Sequence, residues 1–207
     1  EMGNLRSVQK ALERVGADAV ITRDPDVIMG AGAAVLPGVG AFGACMENLR
    51  RHGLVEPVKI FAASGRPFLG ICVGMQILFD ESEEFGPVAG LGILPGKIVR
   101  FAADPAGKRK VPQMGWNALR IHKRAPHPEG VKDGAQVYFV HSYYPVPADP
   151  DVVAATTEYG VTFASSVWRD NVFATQFHPE KSQAVGLRIL ANFAVLAGEA
   201  DATIAAR

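Results

Sequence analysis

The stretch Pro67-Phe68-Leu69-Gly70-Ile71-Cys72-Val73-Gly74-Met75-Gln76 predicts a buried strand, a sharp turn and an amphipathic helix in direct succession. Cys72 lies on the turn, and Gly70 and Gly74 lie two residues before and after it. Small residues are needed there because the turn packs strand, cysteine and helix against one another, as in the Gly-x-Ser-x-Gly turn that presents a nucleophilic serine. The helix directs its N–H groups and positive dipole end at the sulfur, which favours the thiolate. Cys72 is therefore a candidate nucleophile at the carboxyl end of a strand.

A second interpretation of Cys72 is structural. Free cysteines are among the most buried residues and usually behave as small apolar side chains. The two flanking glycines favour the nucleophile, because a plain core cysteine does not require them. A catalytic role also needs a general base elsewhere in the chain.

Apolar segments alternate with helical patterns around this stretch, which predicts an α/β fold with a mostly parallel sheet flanked by helices. Helical spacing predicts helices over residues 5–15, 42–52, 54–64, 73–79 and 186–196. Apolar runs predict strands over residues 17–21, 33–36, 67–71, 98–101, 118–121, 137–140, 152–157, 162–167 and 172–176. The strands between residues 98 and 167 indicate an added antiparallel β region. Because α/β domains usually open with a strand, we expect that a first strand is missing.

Composition limits the classes of function. The chain has 207 residues, which fits one domain over residues 1–207, and its 21 basic residues balance 21 acidic ones. This balance predicts no binding to nucleic acid or to an anionic membrane. Two cysteines indicate a reducing compartment without a disulfide framework. With no apolar run of membrane-spanning length and no signal-peptide pattern, we expect a soluble cytoplasmic protein.

Five histidines compete for the role of base: His52, His122, His127, His141 and His178. The first lies on a polar helix face, and the next two lie in a charged, proline-containing loop, so we expect these three to be solvated. The last two follow apolar strands, so each can reach a site at the carboxyl edge of the sheet.

His178 is the favoured base because of the residues that follow it. Pro179 restricts the local backbone, and Glu180 lies two residues further on, on the same side of an extended turn. Glu180 can therefore accept a hydrogen bond from His178. The sequence predicts a triad in which Cys72 is the nucleophile, His178 the base and Glu180 the group that orients the base.

Attack on a carbonyl group also needs an oxyanion hole. The segment Pro37-Gly38-Val39-Gly40 follows a strand that should neighbour the Cys72 strand. Its glycines allow a backbone N–H to turn toward a substrate. The candidate donors are the backbone N–H of Val39 or Gly40 together with that of Val73. A plain turn is the alternative interpretation of this segment.

Three motifs together resemble the class I, or triad, glutamine amidotransferases: Gly70–Gln76, Phe177–Ser182 and Pro37–Gly40. Within this class, further segments are similar to the family of glutaminase subunits of imidazole glycerol phosphate synthases. These segments are Gly3–Ser7, Gly90–Gly96, Met114–Asn117 and Phe139–Tyr143, so the resemblance covers nearly the whole chain. The alternatives are a glutaminase of another synthase, a stand-alone cysteine hydrolase on a related sheet, and a non-catalytic binding scaffold. Stand-alone relatives typically carry histidine directly after the nucleophile, where this chain has Val73.

The resemblance implies a flavodoxin-like fold and hydrolysis of L-glutamine to glutamate and ammonia through a γ-glutamyl thioester, with no cofactor and no metal. It also implies which residues hold the substrate: Gly38, Gln76, Glu84, Ser142 and Tyr143, with Glu84 at the α-amino group. Taken alone, Gln76 and Glu84 would be interpreted as solvated surface residues.

The resemblance further implies a partner. Ammonia should pass to a (β/α)8-barrel cyclase subunit in a heterodimer that makes imidazole glycerol phosphate and an aminoimidazole carboxamide ribonucleotide in histidine biosynthesis. The interface residues carried over by motif position are Asn4, Met114, Trp116, Asn117 and Lys181. An exposed tryptophan and methionine would suit the centre of an interface. The alternative for Trp116 is a place in the core.

Overall fold

The computed structural model describes residues 2–103, 110–123 and 125–198, with the backbone alone for residues 2–4. Its α-helices are α1 (Met2–Arg14), α2 (Pro25–Gly30), α3 (Phe42–Arg51), α4 (Val55–Ala63), α5 (Val73–Gln76) and α6 (Gln183–Leu196). Its strands are β1 (Ala34–Gly38), β2 (Phe68–Cys72), β3 (Phe79–Ser82), β4 (Val88–Ala89), β5 (Leu94–Arg100), β6 (Gln113–Ala118), β7 (Arg120–Ile121), β8 (Gln136–His141), β9 (Tyr143–Pro147), β10 (Val153–Glu158), β11 (Thr162–Arg169) and β12 (Val172–Thr175). Short 3₁₀ turns cover Pro150–Val152 and Pro179–Lys181.

The largest sheet has the strand order β1-β2-β12-β11-β10-β7. Its parallel part consists of β1, β2 and β12, and the remaining strands extend it in antiparallel fashion. Two smaller sheets, β4-β3-β5-β9 and β6-β8, lie beside it. The predicted α/β fold with parallel strands, flanking helices and an added antiparallel region is confirmed.

Strand β2 occupies the centre of the parallel part because every one of its residues is apolar or small. All five residues from Phe68 to Cys72 are buried, as expected for a strand that is covered on both faces. The apolar faces of α1, α3, α4 and α6 form one continuous core with it. A second core of aromatic side chains, including Phe101, Phe139, Phe163 and Phe177, fills the antiparallel region.

The prediction of a strand at residues 17–21 was wrong. β1 is the edge of the large sheet, and residues 17–21 pair with no strand in the described part of the chain. Instead, the carbonyl of Ala19 accepts a hydrogen bond from the Gln9 side chain at 2.8 Å. An apolar run becomes a strand only where a neighbouring backbone can pair with it. The predicted absence of a first strand stays a prediction.

The predicted helix over residues 73–79 was too long. Helix α5 ends at Gln76, and Phe79 begins β3, which pairs with β4 and β5. Ile77, Leu78 and Phe79 are fully buried, so periodicity could not distinguish helix from strand here. The segment 86–96, in which glycines and prolines are frequent, contains β4 and the start of β5.

None of the helices in the described ranges is long and apolar enough to cross a bilayer.

Candidate active site

The turn after β2 places Cys72 in a strained conformation. Its φ of 57° and ψ of −115° lie outside the regions that non-glycine residues favour, and the next residue begins α5. A side chain on Gly74 would overlap the carbonyl oxygen of Leu36, and one on Gly70 would come within 2.9 Å of the carbonyl oxygen of Gly74. The flanking glycines are therefore required by close backbone contacts between β1, β2 and α5.

The carboxyl end of β1 lies directly beside the cysteine. Gly38 is the parallel neighbour of Cys72, and a Cβ atom added to Gly38 would meet the peptide between Val73 and Gly74 at 2.5–2.9 Å. The next residue, Val39, is about one-third exposed, and Gly40 has a positive φ of 86°. The segment that was predicted to supply the oxyanion hole thus borders the cysteine turn.

His178 and Glu180 come from the other neighbour of β2. Strand β12 pairs with β2 up to Thr175 and Ile71, and the chain then continues to His178. The Nδ1–H of His178 donates to the Oε1 atom of Glu180 at 2.8 Å, and both side chains are buried. The fold therefore brings all three predicted triad residues to one edge of the sheet.

The pKa of His178 reflects this environment. Burial alone would lower it, but hydrogen bonds and charges from Cys72 and Glu180 outweigh the burial and raise the pKa to about 9. The other ring nitrogen of His178, Nε2, is also buried. Within the described residues, no partner meets both the distance and the angle of a hydrogen bond to it. His178 therefore carries its extra proton at neutral pH, next to Cys72.

Hydrogen bonds from the chain around Tyr138 and from Ser182 help to hold residues 177–182, here called the histidine loop. The N–H of His178 donates to the carbonyl of Tyr138 at 3.0 Å. The fully buried hydroxyl of Ser182 donates to the carbonyl of His178 at 2.6 Å and accepts from the N–H of Tyr138 at 3.0 Å. Helix α6 packs closely on this loop because Gly186 has no side chain to collide with Pro179. Sequence inspection had assigned no role to Tyr138 or Ser182.

Gln76 lies beside the cysteine but inside the protein, not on the surface. Its amide nitrogen donates to the carbonyl of Tyr143 at 2.9 Å and to the Oε1 atom of Gln176 at 3.0 Å. Gln176, for which the sequence predicted no role, directs its own amide nitrogen at the Cys72 sulfur from 3.9 Å. Both N–H donors of Gln76 are used, so its oxygen is the atom left to contact a ligand.

The remaining predicted substrate residues lie around this group. Glu84 is half-buried, and its Oε2 atom accepts a hydrogen bond from the N–H of Phe42 at 2.6 Å. Phe42 begins α3 two residues after Gly40, so Glu84 lies next to Pro37–Gly40, here called the glycine segment. Ser142 is half-buried at the bend between β8 and β9, and Tyr143 begins β9.

Three of the predicted interface residues are exposed: Met114, Trp116 and Lys181. Met114 and Trp116 lie on one face of β6 and are 64% and 44% exposed, so Trp116 is not a core residue. Trp116 packs edge-to-face against Tyr138, with ring centroids 5.9 Å apart. Lys181 is exposed on the histidine loop, and Asn117 is half-buried and accepts from Gln113 at 2.8 Å. The side chain of Asn4 lies outside the described part of the structure.

The expectation that His127 is solvated was wrong. Its ring is buried, its Nε2 atom lies 2.6 Å from the Ser166 hydroxyl, and burial lowers its pKa to about 3. The charged residues around it suggested a solvated loop, but this loop packs on Phe173. His122 is exposed as predicted, and His52 is half-buried.

Among the described side chains, no group of three or more histidines, cysteines, aspartates or glutamates is arranged to hold an ion.

Comparison with known proteins points to one family. A family model described as glutamine amidotransferase class-I matches residues 2–197. The imidazole glycerol phosphate synthase subunit HisH of Syntrophotalea carbinolica is 60% identical over 195 residues, which cover 93% of this chain and 95% of that protein. The subunit of the same name from Geobacter sulfurreducens is 58% identical over 198 residues, covering 93% of each chain.

Solved structures with low identity share the fold. A crystal structure of a glutamine amidotransferase superposes with a TM-score of 0.69 at 23% identity and covers 93% of both chains. The glutaminase domain of Trypanosoma brucei CTPS with bound acivicin gives a TM-score of 0.64 at 15% identity, covering 95% of this chain and 88% of that one.

Proposed function

The chain belongs to the class-I glutamine amidotransferase family, and on this premise we propose that it is the glutaminase subunit of an imidazole glycerol phosphate synthase in histidine biosynthesis. Residues 1–207 form its single catalytic domain. The observation that carries the proposal is the buried His178–Glu180 pair, 2.8 Å apart, beside the strained Cys72 turn. The high identity to HisH subunits over nearly their whole length supports this choice over a glutaminase of another synthase.

Hydrolysis begins with the Cys72 sulfur. The sulfur attacks the side-chain amide carbon of L-glutamine, and the carbonyl oxygen takes up the negative charge. Donors for this oxyanion are the N–H of Val73, at the start of α5, and that of Val39 or Gly40. Collapse of the intermediate breaks the carbon–nitrogen bond, leaves a γ-glutamyl thioester on Cys72, and releases ammonia after His178 protonates the nitrogen.

His178 can then change from acid to base. Two groups hold its pKa at about 9 against the effect of burial: Cys72 and Glu180. Once the sulfur is bound in a thioester, it no longer offers a negative charge or a hydrogen-bond acceptor of the same strength. Burial then opposes Glu180 alone, so the pKa of His178 falls and the neutral ring can take a proton from the attacking water.

Glutamine binds in the space between the cysteine turn, the glycine segment and β9. Gly38 leaves room beside Cys72, and Gln76 presents its oxygen. Ser142 and Tyr143 line the opposite side, at the junction of β8 and β9. Glu84 meets the substrate α-amino group with the carboxylate that also binds the N–H of Phe42.

The partner is a (β/α)8-barrel cyclase subunit that receives the ammonia in a heterodimer. Met114 and Trp116 offer an exposed apolar centre, and Lys181, Asn117 and Asn4 complete the contact. Tyr138 packs on Trp116 and also hydrogen-bonds the backbone of His178, so contacts on this surface adjoin the triad.

One experiment tests the function and the interface together. We expect the chain to release glutamate from L-glutamine, and with the cyclase subunit and its nucleotide substrate to drive formation of imidazole glycerol phosphate. Trp116→Ala should weaken the complex by about 1–3 kcal/mol, a roughly 5- to 150-fold increase in Kd, because the indole fills the centre of the surface. Calorimetry and coupled turnover measure these two quantities.

The control for this experiment is Ile60→Ala, which removes an exposed apolar side chain from α4 and should leave the Kd unchanged. A chain that hydrolyses other amides or esters but not glutamine would contradict the proposed function. An unchanged Kd for Trp116→Ala would contradict the proposed interface alone.

The raised pKa of His178 predicts a pH dependence. Because His178 must carry a proton to release ammonia, kcat/KM for glutamine should fall as the pH rises through about 9. Glu180→Gln removes one of the causes that raise this pKa, so the alkaline limb should move to lower pH. Rates measured from about pH 6 to about pH 10 will locate the limb.

The matched control is Glu56→Gln, an exposed carboxylate on α4, which should leave the pH profile in place. If the alkaline limb of Glu180→Gln coincides with that of the unchanged chain, Glu180 does not set the protonation of His178.

A further inference from the structure

Gln176 is a fully buried polar residue that the proposed mechanism does not use. It follows the last residue of β12, and its backbone N–H donates to the carbonyl of Ser165 at 2.9 Å. Its side chain extends toward the nucleophile, and its amide nitrogen lies 3.9 Å from the Cys72 sulfur. A buried amide next to a reactive sulfur can present either an N–H donor or a carbonyl oxygen, and the two have opposite effects on a negative charge.

A chain of hydrogen bonds determines which end of the amide faces the sulfur. The carbonyl of Tyr143 can only accept, so the Gln76 group that meets it at 2.9 Å must be the NH₂. The same NH₂ lies 3.0 Å from Gln176, so Gln176 must turn its oxygen toward Gln76. Its NH₂ then points at Cys72. Reversing either amide would place two donors or two acceptors in contact.

The Tyr143 carbonyl, where this series of hydrogen bonds begins, has a second donor, His141, whose charge does not change over the working pH range. The carbonyl of Tyr143 also accepts from the Nδ1–H of His141 at 2.8 Å. Burial lowers the pKa of His141 to about 4: it outweighs the hydrogen bond to Tyr143, which acts in the opposite direction, and the charge of His178 adds a smaller lowering. His141 is therefore neutral above about pH 5 and donates through the same nitrogen throughout.

We propose that Gln176 is a positioning residue for the nucleophile: its side-chain N–H donates to the Cys72 sulfur, and Gln76 and the Tyr143 carbonyl hold the amide in this orientation. A hydrogen bond to a charged acceptor is stronger than one to a neutral acceptor, so this contact stabilises the thiolate more than the thiol or the thioester. It adds a side-chain donor to the N–H groups of the short helix α5. The inference rests on the proposed role of Cys72 as nucleophile.

The test is the rate at which iodoacetamide alkylates Cys72 as a function of pH, followed by mass spectrometry of the peptide that contains it so that Cys45 does not interfere. In Gln176→Met, which keeps the length of the side chain but has no donor, we expect the half-maximal rate at a pH about one unit higher. At pH values well below the midpoint of the unchanged chain, the rate should be about tenfold lower than in that chain.

The matched control is Gln113→Met. Gln113 is also fully buried, but its amide donates to Asn117 and does not contact Cys72. Its removal should leave the pH profile of alkylation unchanged, even if thermal stability falls. This comparison separates an effect on the sulfur from the general cost of removing a buried amide.

A second variant covers the case in which Gln176→Met does not fold. Gln76→Met retains Gln176 but removes the group that orients it, so the profile should move in the same direction by a smaller amount. Profiles of Gln176→Met or Gln76→Met that coincide with the unchanged chain would overturn the proposal. Alkylation of Cys72 does not require glutamine turnover, so it can be measured whether or not the chain is a glutaminase. Absence of glutaminase activity would contradict the proposed function, whereas unchanged alkylation profiles would contradict the role of Gln176.

Discussion

Cys72→Ala should abolish glutamine hydrolysis, lowering kcat by about 10⁴-fold or more. The sulfur is the only atom removed, and the proposed reaction passes through a covalent bond to it. The fold should survive, because alanine keeps the Cβ atom and Cys72 contributes only one small side chain to the main apolar core. Glutamate release measures the loss, and circular dichroism with partner binding establishes that the chain is intact.

The control is Cys45→Ala, which changes the other cysteine of the chain, half-buried on α3. This variant should retain its glutaminase activity within a few-fold. Turnover in Cys72→Ala at a rate near that of the unchanged chain would exclude Cys72 as the nucleophile, and with it the thioester route.

The second large effect is expected from Gly74→Ala. The new methyl group would overlap the carbonyl oxygen of Leu36, which is backbone of β1 and cannot rotate away. Relief requires β1 and the cysteine turn to move apart, and overpacking of this kind costs about 3 kcal/mol or more. For a chain of this size the melting temperature should fall by roughly 10 °C, and the displaced turn should lose activity as well.

Gly43→Ala is the matched control for this substitution. Gly43 lies in α3, has no positive φ, and an added Cβ would make only an ordinary contact with Val88 at 3.8 Å. Alanine should be neutral or slightly stabilising there, because it favours the helix more than glycine does. A melting temperature for Gly74→Ala equal to that of the unchanged chain would mean that the turn can relax without cost.

The sequence predicted local structure correctly where residues close together in the chain restrict the backbone to one conformation. The Gly-x-Cys-x-Gly spacing predicted the turn at Cys72, and the structure supplies the reason in the contacts of Gly70 and Gly74. The two-residue spacing of His178 and Glu180 predicted their hydrogen bond in the same way. Both features involve residues close together in the chain, so short-range geometry sufficed.

Local sequence failed where burial depended on distant segments. The charged flanks of His127 predicted solvation, but the ring packs on Phe173 and Ser166 from other strands. Residues 17–21 have the composition of a strand, but no described strand lies beside them to pair. Helix α5 stops early because the following residues pair with β4 and β5.

By itself, the sequence determined the α/β class, the turn at Cys72, the histidine–carboxylate pair and the family, because each depends on spacing within a short motif. Only the tertiary structure decided what surrounds Cys72. These neighbours come from four separate segments: Gly38, Gln76, Tyr143, and Gln176 with His178. The parallel strands β1, β2 and β12 end at one edge of the sheet, and the hydrogen bond from Gln76 links Tyr143 of β9 to this edge. The direction of the Gln176 amide follows from a carbonyl 33 positions earlier in the chain. Hydrogen bonds between such distant groups leave no periodic pattern, so they become visible only when the strands are in register.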